Sequence, residues 1–349
     1  MSGTLLAEHT TLRLGGPARD FSVAATEDQL VELVSAADRT RTPLLLLGEG
    51  SNLVVGDDGF DGSVVHVATR GIQVVTGHVD ESAPARVSVT VAAGESWDEL
   101  VHTAVGHRWA GVEALSGIPG SVGATPIQNV GAYGQEVSVT IASVRCWDRV
   151  HQRIRSLASA ECGFGYRTSR FKQDPARDVV LSVTFEFAID DLGPPLTYAE
   201  LARTLGVEVG ERAHASRVRE AVLGLRRGKG MILDPADHDT WSAGSFFTNP
   251  LLDEEKATRL PADAPRWPQP DGTTKTSAAW LIEHSGFAKG YGNDRVAVSA
   301  KHTLALTNRG SASTRDLIDL AAQIQSGVQE RFGIRLVTEP TLVGCTLPG

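Results

Sequence analysis

SGIPGSVGATPIQNVGAYG, at residues 116–134, is the stretch of sequence that decides the expected fold. It contains five glycines and two prolines among small hydroxyl and amide side chains, so neither a regular helix nor a central strand can form there. The segment is also too apolar for a solvated linker. Long irregular segments inside a compact domain are uncommon unless they serve a function. We therefore predict a structured loop around a ligand, and the alternative is a long packing loop without a function.

A second glycine-rich segment, LGEGSN at residues 47–52, follows one short apolar run and precedes another. Its small residues would let backbone N–H groups approach a diphosphate, as in the nests that bind anions. A tight turn between two strands would have the same composition, so both interpretations stay open on this segment alone. The dinucleotide fingerprint G-x-G-x-x-G is absent, because Gly50 is followed by Ser51 and Asn52 and no third glycine arrives in place. A Walker phosphate loop is also absent.

Composition excludes several classes of protein. The length of 349 residues predicts two or three domains with a sizeable core. The formal net charge of −9 argues against general binding to nucleic acid or anionic membranes, which requires a basic face. The three cysteines, Cys146, Cys162 and Cys345, form no Cys-x-x-Cys pair, so neither a disulfide framework nor a structural metal is expected. Neither a signal peptide nor a membrane span is recognisable, and we expect a cytoplasmic protein.

Hydrophobic patterning predicts an α+β fold. Short apolar or alternating runs predict strands at residues 44–47, 64–67, 86–91, 141–147 and 179–187. Capping boxes predict helix starts at Thr26-x-x-Gln29, Ser96-x-x-Glu99 and Ser313-x-x-Asp316.

The pattern changes near residue 213, where we place a domain boundary. Residues 218–225 carry apolar side chains at helical spacing and lead into a basic run at residues 226–229. The last helix should end at Gly333 and be followed by a strand at residues 334–337.

Five segments, taken in order, resemble those of one enzyme family. Residues 48–52 and 118–134 are similar to the flavin-binding elements of the UDP-N-acetylenolpyruvoylglucosamine reductases, which are flavoproteins of the vanillyl-alcohol-oxidase type. CGFGYR at 162–167, SAGSFFTNP at 242–250 and TEPTLVG at 338–344 also match. The resemblance covers nearly the whole chain.

The resemblance implies a division into three parts. Residues 1–213 would form a two-lobed FAD-binding domain of the vanillyl-alcohol-oxidase (PCMH) type, with a lobe boundary near residue 70. Residues 214–333 would form an α+β substrate-binding domain. Residues 334–349 would return to the active site.

By the same resemblance, the chain would reduce UDP-N-acetylglucosamine enolpyruvate to UDP-N-acetylmuramate, with FAD as cofactor and NADPH as hydride donor. Arg167 would pair with the substrate carboxylate and hold the enolate charge. Ser245 would protonate the enolate carbon. Glu339 would lie on the opposite side of the carboxylate, in a neutral form that requires burial to raise its pKa. Without the resemblance, Arg167 would form a structural ion pair, Ser245 would be a helix cap or a turn residue, and Glu339 would be a surface acid.

The resemblance also implies two sets of binding residues. The FAD would be noncovalent, because neither flavin segment contains His or Cys, and its contacts would be Gly48, Gly50, Ser51, Asn52, Ile118, Pro119, Gly120, Ser121, Gly123, Ala124, Gln128, Asn129, Gly131, Ala132 and Tyr133. The substrate contacts would be Tyr166, Tyr198, Lys229, Asn249, Lys275 and His302. No metal is expected.

The sequence departs from some relatives in two places. The segment between Lys229 and Ser245 is longer, and His302 stands where some relatives carry glutamine, so a packed, hydrogen-bonded histidine is the simpler interpretation there. Two other functions stay open: an oxygen-using sugar or alcohol oxidase of the same fold, and a catalytically idle flavin- or nucleotide-sugar-binding protein. We expect a monomer whose only partners are small molecules.

Overall fold

The structure is a computed structural model that describes residues 3–75 and 85–348. The chain forms two units that each contain several stretches of sequence. Unit 1 consists of Met1–Arg19, Gly50–Asp61 and Lys229–Gly349, and unit 2 consists of Asp20–Glu49 and Gly62–Gly228. The three-part functional division expected from the sequence stays a prediction.

The described residues form eight α-helices. They are α1 (Glu27–Thr40), α2 (Trp97–Gly106), α3 (Arg170–Gln173), α4 (Ala199–Leu205), α5 (Ala215–Gly228), α6 (Glu254–Arg259), α7 (Ala278–His284) and α8 (Thr314–Phe332).

The described strands are mostly short. They are β1 (Ala18–Ala24), β2 (Leu44–Leu47), β3 (Leu53–Val55), β4 (Phe60–Val67), β5 (Ile72–Val75), β6 (Arg86–Ala92), β7 (Trp109–Ala110), β8 (Gly131–Ala132), β9 (Gln135–Glu136), β10 (Ile141–Asp148), β11 (Arg153–Ala158), β12 (Asp178–Ile189), β13 (Leu251–Leu252), β14 (Arg266–Pro268), β15 (Thr274–Thr276), β16 (Val296–Val298), β17 (Leu306–Asn308) and β18 (Thr341–Val343).

Unit 2 is organised around an antiparallel sheet in the order β11-β10-β12-β6-β5, with β7 also paired to β12. The strand β12 alternates along its second half, and its Phe185 and Phe187 are fully buried beside Trp97 of α2. A second sheet has the order β1-β4-β2, in which β2 and β4 run parallel. The loop at residues 116–134 follows α2, and its Val122 belongs to the same buried cluster as these aromatic side chains.

Unit 1 has a core of its own. The helix α8 buries Leu317, Ile324 and Val328 in a cluster that also contains Leu281 of α7 and Phe246. Three small sheets surround it: β13-β15-β14, β16-β17, and a parallel pair of β3 with β18. The pairing of β3 with β18 joins the segment that follows Asn52 to the segment that follows Glu339.

Each of the five strands predicted from the sequence is confirmed, as β2, β4, β6, β10 and β12. The three predicted helix starts are also confirmed. Ser313 and Asp316 form a complete capping box, and Thr26 accepts a hydrogen bond from the Gln29 N–H at 3.2 Å. Ser96 occupies the N-cap of α2 without a side-chain hydrogen bond, so that position was predicted correctly but its capping interaction was not.

The strand predicted at residues 334–337 was wrong. These residues bury Ile334 and Leu336, which alternate with exposed residues, but they belong to no ladder. Their carbonyls are satisfied individually: the Val337 carbonyl accepts from the Thr248 N–H at 3.0 Å, and the Leu336 carbonyl accepts from the Gln325 side chain at 2.7 Å. An apolar extended segment does not need a strand partner when separate donors cover its carbonyls.

The helix α5, predicted from the apolar stripe after residue 213, packs within unit 2. Its Val218 and Val222 belong to a buried cluster with Leu201 and Leu205 of α4. The basic run begins inside the last turn of α5, at Arg226 and Arg227, and Lys229 is the first residue of unit 1 after the helix. Arg226 and Arg227 therefore lie at the C-terminal end of a helix that is packed into unit 2.

Candidate active site

The loop at residues 116–134 is irregular, as its composition predicts. It contains one 3-10 turn, Val122–Ala124, and ends in the β8–β9 hairpin. Two non-glycine residues of the loop, Asn129 and Tyr133, have positive φ angles of 47° and 49°. Backbone strain of this kind persists where surrounding contacts fix the conformation, and it concentrates at ligand sites.

Close approach of backbones explains why small residues occupy this loop. A Cβ atom on Gly48 would lie 2.5 Å from the Ser121 hydroxyl oxygen, and one on Gly123 would lie 2.5 Å from the Ala93 Cβ. A Cβ on Gly48 would force the Ser121 hydroxyl to rotate away. A Cβ on Gly123 would also lie 2.9 Å from the Ala93 Cα and 3.0 Å from the Ala93 carbonyl oxygen, so it would push these two segments apart. The first glycine-rich segment therefore reaches the long loop inside unit 2 at Gly48. Gly50 belongs to unit 1, has a φ of 60° and lies against the His9 carbonyl.

Two N–H groups of the loop are available to a ligand. The backbone N–H groups of Ile118 and Ser121 donate no hydrogen bond within residues 3–75 and 85–348. Ser121 is nearly fully buried, at 4% exposure. Because buried backbone donors are almost always paired, an unpaired one beside a close-packed glycine segment is a natural place for an anionic group such as a diphosphate. The loop thus fits the phosphate-bearing part of FAD.

Acidic side chains fix the start of the loop, and the sequence did not predict their role. Glu49 accepts a hydrogen bond from the Gly120 N–H at 2.9 Å. Asp98 of α2 accepts one from the Gly117 N–H at 2.6 Å and forms a two-point ion pair with Arg219 of α5, at 2.6 and 3.0 Å. Both carboxylates contact the predicted ligand loop. The ion pair of Asp98 with Arg219 joins residues that are 121 positions apart, so no local sequence pattern could predict it.

Electrostatics at this end of the loop favour an anion. Burial tends to raise the pKa of Asp98, but the hydrogen bond from Arg219 and the positive charges of Arg219 and Arg226 outweigh it and lower that pKa. Arg226 donates to the Gly117 carbonyl at 3.1 Å. Burial lowers the pKa of Arg226 to about 10, so the guanidinium remains charged at neutral pH. Arg226 was not among the predicted contacts, although the basic run pointed to its position.

Arg167 lies against the second half of the loop. Its Nη2 donates to the Gly131 carbonyl at 2.6 Å, and its guanidinium lies 5.3 Å from the centre of the Tyr166 ring. Asn129 is fixed nearby by its side-chain amide, which donates to Glu136 at 2.9 Å and to the Gly165 carbonyl at 3.1 Å. Arg167 itself has a positive φ of 52°. The structure therefore joins the predicted catalytic arginine to the predicted flavin loop.

Tyr133 and Tyr198 also meet in unit 2. Their rings form an edge contact with centroids 5.5 Å apart. Tyr198 precedes α4 at its N-cap position and is 44% exposed. A Cβ on Gly134 would collide with the Thr197 hydroxyl, so the glycine allows the segment before α4 to reach the loop.

Unit 1 brings Ser245 and Glu339 onto neighbouring backbone segments. The Glu339 N–H donates to the Phe246 carbonyl at 2.9 Å, and Phe247 forms an antiparallel β-bridge with Thr338. Phe246 and Phe247 are each 1% exposed and anchor the segment in the core. The Asn52 side chain reaches the Glu339 carbonyl at 3.5 Å, and the Asn52 carbonyl accepts from the Thr341 N–H at 3.0 Å.

The remaining predicted substrate contacts of unit 1 lie on separate elements. The Asn249 side-chain oxygen accepts from the Ala278 N–H at the start of α7, at 3.0 Å. Lys275 lies on β15 opposite Leu251. His302 is half-buried, and its Nδ1 accepts a hydrogen bond from the Leu304 N–H at 3.1 Å, which agrees with a packed, hydrogen-bonded histidine.

The predicted residues are thus divided between the units. Unit 2 contains Gly48, the predicted contacts at 118–133, Tyr166, Arg167 and Tyr198, and unit 1 contains Gly50, Ser51, Asn52, Lys229, Ser245, Asn249, Lys275, His302 and Glu339. In the part of the chain that the structure describes, no group of three or more His, Cys, Asp or Glu side chains could hold a metal ion.

Comparison with known proteins identifies the family. Residues 21–151 match the family described as FAD binding domain, and residues 234–343 match the UDP-N-acetylenolpyruvoylglucosamine reductase C-terminal domain. UDP-N-acetylenolpyruvoylglucosamine reductase of Cutibacterium acnes is 54% identical over 98% of this chain and 90% of its own length. The chain belongs to the UDP-N-acetylenolpyruvoylglucosamine reductase family. The protein of the same name from Streptomyces coelicolor is 53% identical over 98% of this chain and 90% of its own length.

Membership in the reductase family confirms the predicted fold class. The chain is an α+β flavoenzyme with an FAD-binding domain and the C-terminal domain of the reductases. A crystal structure of the reductase from Thermus caldophilus has the same fold, with a TM-score of 0.64 and 24% identity over 97% of both chains. Among the described residues of this reductase, no helix is long and apolar enough to cross a membrane.

Proposed function

We propose that this enzyme reduces UDP-N-acetylglucosamine enolpyruvate to UDP-N-acetylmuramate in peptidoglycan precursor synthesis, using NADPH as the hydride donor. The observation that carries the proposal is the backbone pairing of residues 246–247 with 338–339, which brings together the two segments that contain Ser245 and Glu339. Relatives that share about half of the sequence over nearly the full length carry the name of this reaction.

FAD would be held noncovalently by the loop at 116–134. Its unpaired N–H groups at Ile118 and Ser121 suit a diphosphate, and the charge of Arg226 favours an anion nearby. Contacts at residues 48–52 and 128–133 would complete the site. When bound, FAD would accept a hydride from NADPH and pass it on to the substrate.

Arg167 is proposed to bind the carboxylate of the enolpyruvyl group. A guanidinium offers a planar set of donors that matches a carboxylate, and it would stabilise the negative charge that develops as the carbon next to the carboxylate becomes an enolate. The hydrogen bond from Arg167 to the Gly131 carbonyl and the positive φ of the residue support a fixed orientation. Such preorganisation removes the need to reorient the charge during the reaction.

Ser245 is proposed to donate the proton that converts the enolate carbon to product. The preceding Gly244 has a φ of 72°, and the following Phe246 and Phe247 are buried, so the serine sits at the end of a turn anchored by the core. Lys229 would stabilise the serine alkoxide or the substrate diphosphate. Glu339 would act from the other side of the carboxylate. A correctly placed donor of this kind contributes about 10²- to 10⁴-fold to the rate.

We propose that the nucleotide sugar is bound by the five side chains named next. Tyr166 and Tyr198 would contribute from unit 2, and Asn249, Lys275 and His302 from unit 1. The exposed Tyr198 ring, braced by Tyr133, supports such a contact. The Asn249 amide is oriented by its hydrogen bond with α7.

We further propose that the enzyme acts as a monomer in the cytoplasm. Its cysteines support a reducing compartment: Cys146 and Cys162 are buried, and burial raises the pKa of each thiol to about 11. Such thiols are inert structural groups at neutral pH.

A steady-state assay tests the proposal. The purified enzyme should oxidise NADPH only when the enolpyruvyl sugar nucleotide is added, and mass spectrometry should show a product with two more hydrogens. NADPH oxidation that depends on oxygen and ignores the sugar nucleotide would contradict it. The same assay with NADH measures the preference for the phosphorylated donor.

A further inference from the structure

Glu113 is a buried acid of unit 2 that the proposed reaction does not use. It lies in the 3-10 turn Glu113–Leu115, directly before the loop at residues 116–134, and it is 1% exposed. Its carboxyl group accepts a hydrogen bond from the Gly111 N–H at 2.8 Å and one from the Gln135 side-chain amide at 2.6 Å. Burial of such a polar group is costly unless hydrogen bonds replace the lost water. These two donors therefore hold the carboxyl group in one position.

Gln135 connects this acid to the β8–β9 hairpin. Its side-chain nitrogen donates to Glu113, and its side-chain oxygen accepts from the Ala114 N–H at 2.9 Å. A backbone N–H can only donate, so the amide has one orientation that satisfies both contacts. Gln135 lies on β9, which pairs with the strand that contains Gly131. Glu113 thus fixes the hairpin that offers the Gly131 carbonyl to Arg167.

The same carboxyl group lies against residues 190–198, which we call the tyrosine segment. A Cβ on Gly193 would lie 2.4 Å from Oε1 and 3.0 Å from Cδ of Glu113, so only glycine lets the backbone approach this closely. The tyrosine segment ends at Tyr198, whose ring contacts Tyr133 of the hairpin. Glu113 therefore touches both the hairpin and the tyrosine segment.

We infer that Glu113 is a positioning residue of the reductase. Through Gln135 and Gly193, it sets the hairpin and the tyrosine segment relative to each other, so that Arg167 and Tyr198 meet the substrate together. The inference rests on the proposed function, since it concerns residues proposed to bind the enolpyruvyl sugar nucleotide. Reoxidation of the flavin by that sugar then depends on Glu113. Reduction of the flavin by NADPH does not, because neither Arg167 nor Tyr198 has a role in it.

Glu113→Gln tests this dependence, because it replaces one oxygen by a nitrogen at almost constant volume. Whichever way the new amide turns, N–H groups face each other at either Gly111 or Gln135. A misplacement of about 1 Å can cost about 10²-fold in rate. At saturating FAD, reoxidation by the sugar nucleotide should slow about 10- to 100-fold, while reduction by NADPH stays within about twofold of the wild type.

Glu113→Gln/Gln135→Glu exchanges the two side-chain types and is the matched rescue. The amide at position 113 can accept from the Gly111 N–H and donate to the carboxyl group at position 135, which in turn accepts from the Ala114 N–H. All three hydrogen bonds are re-formed in this way. Because the two positions are coupled, the double variant should recover reoxidation to within about threefold of the wild type.

Hydrogen exchange provides a readout that is independent of activity. Peptides from residues 131–136 and 190–198 should exchange faster in Glu113→Gln and return to the wild-type rate in the double variant. Gln135→Ala leaves the Gly111 contact in place and should slow the same half-reaction, so it serves as a second test if Glu113→Gln fails to fold. Asp148→Asn, which changes another buried acid of unit 2, is the control and should leave both half-reactions unchanged.

Three results would overturn the inference. They are an unchanged reoxidation rate in Glu113→Gln, equal slowing of both half-reactions in that variant, and a double variant that is as slow as the single one. The last two would show that Glu113 only supports the fold or acts without Gln135. A wild-type reduced flavin that the sugar nucleotide fails to reoxidise would instead refute the proposed function.

Discussion

At the scale of single residues, the proposed proton donor gives the sharpest separation between binding and chemistry. Ser245→Ala should retain FAD and be reduced by NADPH at the wild-type rate. Reoxidation by the enolpyruvyl sugar should slow by about 10²- to 10⁴-fold, because a positioned proton donor would be lost. Stopped-flow absorbance of the flavin measures both half-reactions.

Ser242→Ala is the matched control for that variant. Among the described residues, the Ser242 hydroxyl takes part in one hydrogen bond, which it accepts from the Gly244 N–H at 3.3 Å, so its removal should affect both half-reactions little. Equal slowing of both half-reactions in Ser245→Ala would show that Ser245 shapes the site rather than donating a proton.

The sequence singles out the proposed catalytic residues, but it does not single out the residues that position the flavin loop. Arg167, Ser245 and Glu339 stand in short segments that resemble the reductases, and such segments can be recognised without a structure. Glu49 and Asp98 were missed because their role is to accept N–H groups of a loop about 70 and 20 positions later, which no local pattern encodes. Arg226 was visible only as one member of a basic run, and its contact with Gly117 depends on how α5 packs.

At the scale of secondary-structure elements, local signals predicted the strands and helix starts. The alternation along β12 and the capping box of α8 depend on residues close in sequence, so both were recognisable. Residues 334–337 failed as a strand because their donors, at Thr248 and Gln325, come from elsewhere in the chain. Apolar content and extended conformation are shared by strands and by packed single segments, and only tertiary pairing distinguishes them.

The contact between α2, α5 and the flavin loop leads to a prediction about the cofactor. Asp98→Ala should remove the acceptor of the Gly117 N–H and the partner of Arg219, and so loosen the start of the loop. We expect FAD to bind about 5- to 30-fold more weakly, which corresponds to about 1–2 kcal/mol, a usual effect of breaking such a network. Fluorescence titration of the apoprotein with FAD measures the affinity.

Asp190→Ala provides the control for the loss of an Asp–Arg pair. Asp190 pairs with Arg212 at 2.6 Å elsewhere in unit 2, with side chains 38% and 42% exposed. Its removal should leave FAD affinity unchanged, since surface ion pairs contribute little and this one does not contact the loop. Equal weakening of FAD binding in both variants would contradict a specific role for Asp98.

At the scale of the whole molecule, a buried charge network should set the response to acid. Asp148 has a fully buried side chain on β10. Burial tends to raise its pKa, but hydrogen bonds from the His151 ring and backbone and the charge of Arg155 outweigh this and lower the pKa to about 2. The carboxylate is thus more acidic in the folded protein than the ordinary value of about 3.9 in an unfolded chain.

The sign of the pH dependence follows from that difference. A carboxylate with a lowered folded-state pKa stabilises the fold above pH about 4, and this contribution is lost as pH falls from about 4 to about 2. Asp148→Asn should therefore be less stable at neutral pH, with a shallower loss of stability over that acidic range. Urea unfolding at several pH values measures the slope. An unchanged slope in Asp148→Asn would contradict the assignment.

The central claim concerns the whole reaction, and one anaerobic experiment tests it most directly. The flavin of the purified enzyme is first reduced with NADPH, and UDP-N-acetylglucosamine enolpyruvate is then added while absorbance is followed. We predict rapid return of the oxidised flavin spectrum without oxygen. A flavin that is reoxidised only when air is admitted would contradict the proposed reductase and favour an oxidase of the same fold.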